Sequence, residues 1–340
     1  MTDVPTTTVS DVSGMLAVVP TLVGFQPSRA IVILFLDEPG RLQLTMRVDL
    51  DGANVNEVAA TAVMAARRAK ASELILVGYI PSISAVIREV LSDLAIIVEN
   101  ETLDSEQPLT VRQMAAVGRD GWCELTPWSR EIPPLRPLVE ISDHPVAVER
   151  IFAGMGVAAS RQDLYARVQP GSDPVPDGFA VGLVAQREQM KELAGHEMAS
   201  LLATLLDGVH ESGALPDGET VGRIVALVRN GEARDQASLR LSAETSQRWI
   251  AFWSSVARCT TDDAAVVPLA LVGLASWVRG DGAMSNIAVE LAHAIDPTHP
   301  LVKIVVTVNN LAIPPETWGA LVTAMQSAEE LVVLDDERAS

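Results

Sequence analysis

An α/β domain followed by an all-α domain is the fold that this 340-residue sequence predicts. Three observations carry that reading. Residues 30–36 are apolar without a break, as in a strand covered on both faces. Leu42, Leu44, Met46, Val48 and Leu50 alternate with Arg41, Gln43, Thr45, Arg47 and Asp49, the period-two signature of a half-buried strand. From Pro145 onward, almost every apolar pattern has helical spacing.

Taken in order, residues 1–12 are Thr-rich and read as a mobile lead-in. Ser13 caps a short helix that runs through Val19 and stops before Pro20. Asp37-Glu38-Pro39-Gly40 turns the first strand into the alternating one, giving a hairpin. Val58, Ala62, Val63 and Ala66 place a helix over 54–70, whose basic end suits a helix C-terminus. Glu73 to Ile80 reads as a third strand, Ile83 to Leu94 as a helix and Ala95 to Val98 as a fourth strand. Strand alternating with helix implies parallel crossovers behind the initial hairpin. Gly118-Arg119-Asp120-Gly121 then joins two further strands, 109–117 and 122–125. This α/β domain spans 13–126, and a Pro-rich connector follows over 127–145.

The helical domain spans 146–330, with a tail over 331–340. Helices are predicted at 146–152, 161–167, 182–209, 217–229, 234–241, 244–259, 301–311 and 315–328. Between them, residues 262–295 read as a helical pair. Gly273, Gly280, Ser285, Ala292 and Pro297 fall at the small-residue and terminating-proline offsets of a 34-residue tetratricopeptide unit. The domain is therefore expected to be tetratricopeptide-like, with Arg279, Gly280, Asp281 and Gly282 as a structural turn. Residues 329–336 read as a last short strand or a frayed end.

A net charge of −19 argues against nucleic acid and against anionic membranes as partners. Only Lys70, Lys191 and Lys303 among 25 basic residues are lysines, as high-GC coding produces. Two distant cysteines, no basic leader at the N-terminus and no long apolar run predict a cytoplasmic protein without a membrane span. Phosphate-loop, zinc-protease and nucleophile-elbow motifs are missing. Gly154-Met155-Gly156 follows a helix rather than a strand, so its glycines read as a helix end and not as a dinucleotide cradle. The five histidines lack ligand spacing, so no metal and no cofactor is expected.

Two candidate surfaces remain. If the second, third and fourth strands run parallel, Asp49, Asp51, Tyr79, Glu99 and Glu101 gather at their carboxyl ends, with Arg47 one step inside. Such carboxylates could hold a divalent cation or serve as acid and base. Trp249, Trp253 and Trp277 form the other candidate, an aromatic stripe that anchors a partner if exposed and a core if not.

Two stretches also carry a resemblance. The first is Leu16 to Ser28, with Gly24-Phe25-Gln26-Pro27 leading to Arg47-Val48-Asp49. The second comprises Arg234-Asp235, Trp253, Trp277 to Ala283 and Asp296-Pro297. Together these are similar to domain-of-unknown-function family 4192 of actinobacteria and their phages. The resemblance implies a two-part layout and a high-GC phage or host source, and it supplies no catalytic residue. The function expected is a non-enzymatic interaction or assembly module, held to a protein partner or to itself. Its rival is a small-ligand-binding protein or enzyme using the strand-end carboxylates, in the setting of a phage factor acting on host metabolism or defence.

Overall fold

The computed structural model describes residues 11–128, 131–138, 145, 147–148 and 156–323. The predicted helix at 146–152, Gly154 and Met155 of the glycine-containing stretch, His144 and the segment at 329–336 lie wholly or largely outside them. The chain divides into two compact units, 1–161 and 162–340.

In the first unit the elements are α1 (Val12–Val23), β1 (Ala30–Leu36), β2 (Leu42–Asp49), α2 (Val55–Ala69), β3 (Glu73–Tyr79), α3 (Ala85–Thr102), β4 (Thr110–Gly118) and β5 (Gly121–Leu125). The strands form one mixed sheet in the order β2-β1-β3-β4-β5. β1 is antiparallel to both of its neighbours, β3 and β4 are parallel, and β5 returns antiparallel. β2, β3 and β4 therefore share one direction, although β1 separates the first two.

Every residue of β1 is buried, so both sheet faces must be covered. Ile31, Ile33 and Phe35 point into a core built with Val58 and Ala62 of α2 and Ile87, Leu91 and Leu94 of α3. No residue of α1 belongs to that core although its own apolar side is buried, which puts α1 on the opposite face. α1 runs through Pro20 rather than stopping before it. Leu16, Val19 and Val23 continue one buried stripe, and that burial outweighs the hydrogen bond the proline cannot donate. The helix stops at Gly24, which takes the left-handed conformation at φ 83°.

The predicted strand at Ala95–Val98 is instead part of α3. Its apolar quartet extends a helical stripe of Ile87, Leu91, Leu94, Ala95 and Val98, buried at i, i+4, i+7, i+8 and i+11. The end of α3 is tied to the next segment by two bonds. Glu99 Oε1 accepts from the Val111 N–H at 2.8 Å, and the Thr102 hydroxyl accepts from the Leu109 N–H at 3.0 Å. Part of the Pro-rich stretch is docked on β5. Trp122 and Arg136 exchange backbone bonds of 2.9 and 2.7 Å, and the Trp122 indole donates to the Pro137 carbonyl at 3.0 Å.

The helical unit continues with α4 (Arg161–Ala166), α5 (Phe179–Gln189), α6 (Gly195–Ser212), α7 (Gly218–Leu227), α8 (Gly231–Leu239), α9 (Ser246–Arg258), α10 (Asp263–Arg279), α11 (Gly282–Ile295) and α12 (Pro300–Asn310). The single helix expected over 182–209 is two helices, α5 and α6. The second starts where the Glu197 carboxylate accepts from the Ala194 N–H at 2.8 Å. α10 is buried on all sides from Ala265 to Val278, and α9, α11 and α12 pack around it.

α5 and α7 meet at backbone contact. A Cβ at Gly182 would lie 1.9 Å from the Glu219 carbonyl oxygen, and one at Gly222 would lie 2.1 Å from that of Phe179. Gly208, in the middle of α6, meets nothing within 4 Å. Gly182→Ala or Gly222→Ala should therefore destabilise by about 1–3 kcal/mol through forced separation of the helices. Gly208→Ala should be neutral or should stabilise by up to about 1 kcal/mol, since alanine is the better helix former. Urea unfolding of the three variants, followed by circular dichroism, checks the contrast.

Candidate functional site

The carboxyl edge shared by β2, β3 and β4 is where a sheet of this kind offers a site. Asp49 and Tyr79 both pair with Ala30, one from each side of β1, so they stand level at this edge. They also share the sheet face that α1 covers, with Arg47 two residues back along β2. Asp51 follows in the turn after β2.

Glu99 and Glu101 do not join them. They lie in the last turn of α3, and the bond from Val111 holds Glu99 near the start of β4, at the opposite sheet edge. The predicted gathering of carboxylates fails there because the strand that was to deliver them is a helix.

Each remaining carboxylate faces an arginine. Asp51 accepts two bonds from Arg29, at 2.8 Å from Nε and 2.5 Å from Nη2. The bonding and charge of Arg29 hold the Asp51 carboxyl below the usual range. Asp49 takes Arg47 at 2.5 Å and Arg161 at 3.7 Å. The Arg47 guanidinium also lies over the Phe25 ring, 5.2 Å from its centroid. Phe25 is fixed there because its backbone neighbours pair with Ala158, through bonds of 3.1 Å from Gln26 and 2.9 Å to Gly24. The residues of the Gly-Phe-x-Pro and Arg-Val-Asp stretches thus meet in space. With arginines satisfying Asp49 and Asp51, the edge has the field of an ion-pair network rather than of a cation site. Among the described residues, no group of three or more His, Cys, Asp and Glu side chains is placed to hold a metal.

Two polar atoms on the α1 face are unsatisfied. The Tyr79 hydroxyl and Arg47 Nε are buried and lack a hydrogen-bond partner among the described residues. Burial also pushes the Tyr79 phenol well above its ordinary value. Sequence reasoning placed Tyr79 at the edge but missed its isolation, which depends on what covers the face.

Between the ends of β3 and β4 lies a shallow cleft of about 220 Å³, lined by Ser82, Arg119, Asp120 and Pro134 among others. Sequence reading treated Gly118 to Gly121 only as a turn, and the Arg119 and Asp120 side chains within that turn were its available signal.

The tryptophan stripe is core. Trp249, Trp253 and Trp277 are 1%, 0% and 5% exposed, so none can anchor a partner. Trp249 and Trp253 both pack against Phe252, and Trp277 donates from Nε1 to the Ile313 carbonyl at 2.9 Å. Close by, Gly280 at φ 82° ends α10, and the Asp281 N–H bonds back to the Ser276 carbonyl at 2.8 Å. Asp281 then caps α11, its Oδ1 accepting from the Met284 N–H at 3.0 Å. Burial raises the Asp281 carboxyl despite that bond and the nearby Arg279.

The exposed apolar surface lies elsewhere. α5 buries Phe179, Gly182 and Gln186. Its other side presents Val181 and Val184 at 63% and 58% exposure, with Ala185 beside them.

These features define a chain with a mixed α/β sheet unit and a helical unit, and with no membrane-crossing helix among the described residues. It belongs to the family described as Domain of unknown function (DUF4192), whose model matches residues 13–316. No curated protein and no solved structure matches it.

Two results are expected at the sheet edge. Tyr79→Phe removes a hydroxyl that has no partner, so the melting temperature should stay level or rise, by the equivalent of about 1 kcal/mol. Because the folded phenol is raised, the unfolded state releases its proton first, and stability falls as pH climbs above about 10. In an alkaline titration, tyrosinate absorbance from Tyr79 should appear only with unfolding, and Tyr79→Phe should delete that phase.

Proposed function

We propose that this protein is a non-enzymatic interaction or assembly module that docks a protein partner, or a second copy of itself, through the outward face of α5. The observation that carries this is that the first two turns of the helix, Phe179 to Ala185, are apolar on both sides. Phe179 and Gly182 face α7, while Val181, Val184 and Ala185 form a stripe at i, i+3 and i+4 with no covering element among the described residues. A helical stretch apolar on all sides is ordinarily a buried one. The tetratricopeptide-like reading of α10 and α11 belongs to this proposal. It is supported by the turn at Gly280 and by Gly273, whose Cβ position is 3.4 Å from the Ser285 carbonyl oxygen. So do a cytoplasmic location and an actinobacterial or phage source, on the resemblance of the motifs.

A second reading has one observation in its favour. The unpartnered Tyr79 hydroxyl and Arg47 Nε, beside Asp49, leave polar capacity for a small ligand at the sheet edge, as in a binding protein or enzyme.

Light scattering on the full chain separates the two. The interaction reading expects a mass above that of one chain, returned to one chain by Val181→Glu with Val184→Glu. A monomer whose melting temperature rises with a nucleotide or divalent metal, and whose rise is lost in Asp49→Ala, would overturn it in favour of the second.

A further inference from the structure

The starts of α8, α10 and α12 come to one end of the helical unit. α8 and α12 both pack against α10. α12 runs parallel to α10, since Val305 Cγ1 lies 3.2 Å from the Cβ position of Gly273 and, further along, the Trp277 indole donates to Ile313. His299 precedes α12 and so stands towards the end where α10 begins. Arg229 is fixed at that same end, its Nη1 donating to the carbonyl of Asp263 at 3.3 Å. Arg234 lies three residues into α8, and its Nη2 folds back to 3.7 Å from the Cβ position of Gly231. Two of the stretches that carried the family resemblance, Arg234-Asp235 and Asp296-Pro297, are thereby brought together.

We propose that Arg229, Arg234 and His299 together bind a phosphate group, either as the free ion or as a small-molecule monoester. Three observations support the site. Among the described residues, no hydrogen bond or ion pair joins any of these side chains to a carboxylate, although the chain carries −19. Asp235 lies in the field of Arg234 without bonding it, and Asp296 is occupied by the N–H and hydroxyl of Thr298, which donate to it at 2.8 and 2.7 Å. Secondly, His299 Nδ1 is buried and lacks a hydrogen-bond partner, so no bond within the fold claims the imidazole. Thirdly, both arginine charges reach that ring. Burial lowers its pKa, and Arg234 and Arg229 lower it further against the opposing pull of Asp296. Like charges held together without an acidic partner repel one another, and a dianion placed among them turns that repulsion into attraction. Guanidinium groups suit phosphate in particular, because they present paired N–H donors to its oxygens. Arg229 is exposed, and Arg234 and His299 are half-buried, as a site reached from solvent requires.

The site goes beyond the docking face on α5 and shares no residue with it or with the sheet edge. Titration calorimetry on the full chain with inorganic phosphate and with glycerol phosphate tests it. Binding of either supports the site, and the tighter of the two identifies the source of the group. Arg229→Gln and Arg234→Gln should each weaken binding by about tenfold. Arg234→Lys keeps the charge without the paired donors and should fall between, a graded result that loss of folding cannot produce. Proton NMR gives a local readout. The ring signals of His299, identified by their loss in His299→Gln, should shift as phosphate is added, and those of the other four histidines should stay in place. No binding of either compound, glutamine variants that bind as tightly as the parent, or a His299 signal that does not move would overturn the proposal. Any rise in melting temperature brought by phosphate through this site should persist in Asp49→Ala and vanish in Arg234→Gln. The expectation for Val181 and Val184 is independent of every one of these outcomes.

Discussion

An element without a wet side must be surrounded, and each unit of this chain is arranged around one such element. In the sheet unit it is β1, buried from Ala30 to Leu36. Its burial requires a strand on each edge, helices α2 and α3 over one face and α1 over the other. In the helical unit it is α10, buried from Ala265 to Val278, and α9, α11 and α12 exist as its cover. Hydrophobic burial thereby fixes the layout before any polar contact is made.

Polar groups then do local work. Arg29 and Arg47 neutralise the carboxylates at the end of β2, Asn54 and Asn230 cap α2 and α8, and Asp281 ends one helix contact and begins another. Most of these pairs are exposed enough that solvent screens them, so they orient side chains more than they stabilise the fold. The Tyr79 hydroxyl and Arg47 Nε stand out against that pattern, since both are buried without a hydrogen-bond partner among the described residues.

Legibility in the sequence followed the range of the signal. The β1–β2 hairpin could be read because period two and a tight turn are local properties, and its strands appear at 30–36 and 42–49. Ala95–Val98 misled because an apolar quartet with three β-branched residues looks alike in a strand and in a buried helix, and only the stripe back to Ile87 distinguishes them. That one substitution of helix for strand carried Glu99 and Glu101 to the far edge. Asp49 and Tyr79 were placed correctly at one edge because both are strand ends, whereas their relation across β1 required the register. The break between α5 and α6 was hidden because Lys191-Glu192-Leu193-Ala194 are all helix formers, and the Glu197 cap is visible only once the backbone is known. The tryptophans could be read as core, or as a partner surface if exposed, since spacing does not report depth.

The glycine crossing of α5 and α7 also divides the two sides of one helix by their tolerance of change. On the inner side, the space for any side chain at Gly182 is already occupied by the Glu219 backbone. On the outer side, Val181 and Val184 are mostly exposed to solvent. The scaffold and the surface it presents thus use different residues of one eleven-residue helix. What meets that surface can be exchanged by substitution without re-solving how the two helices pack.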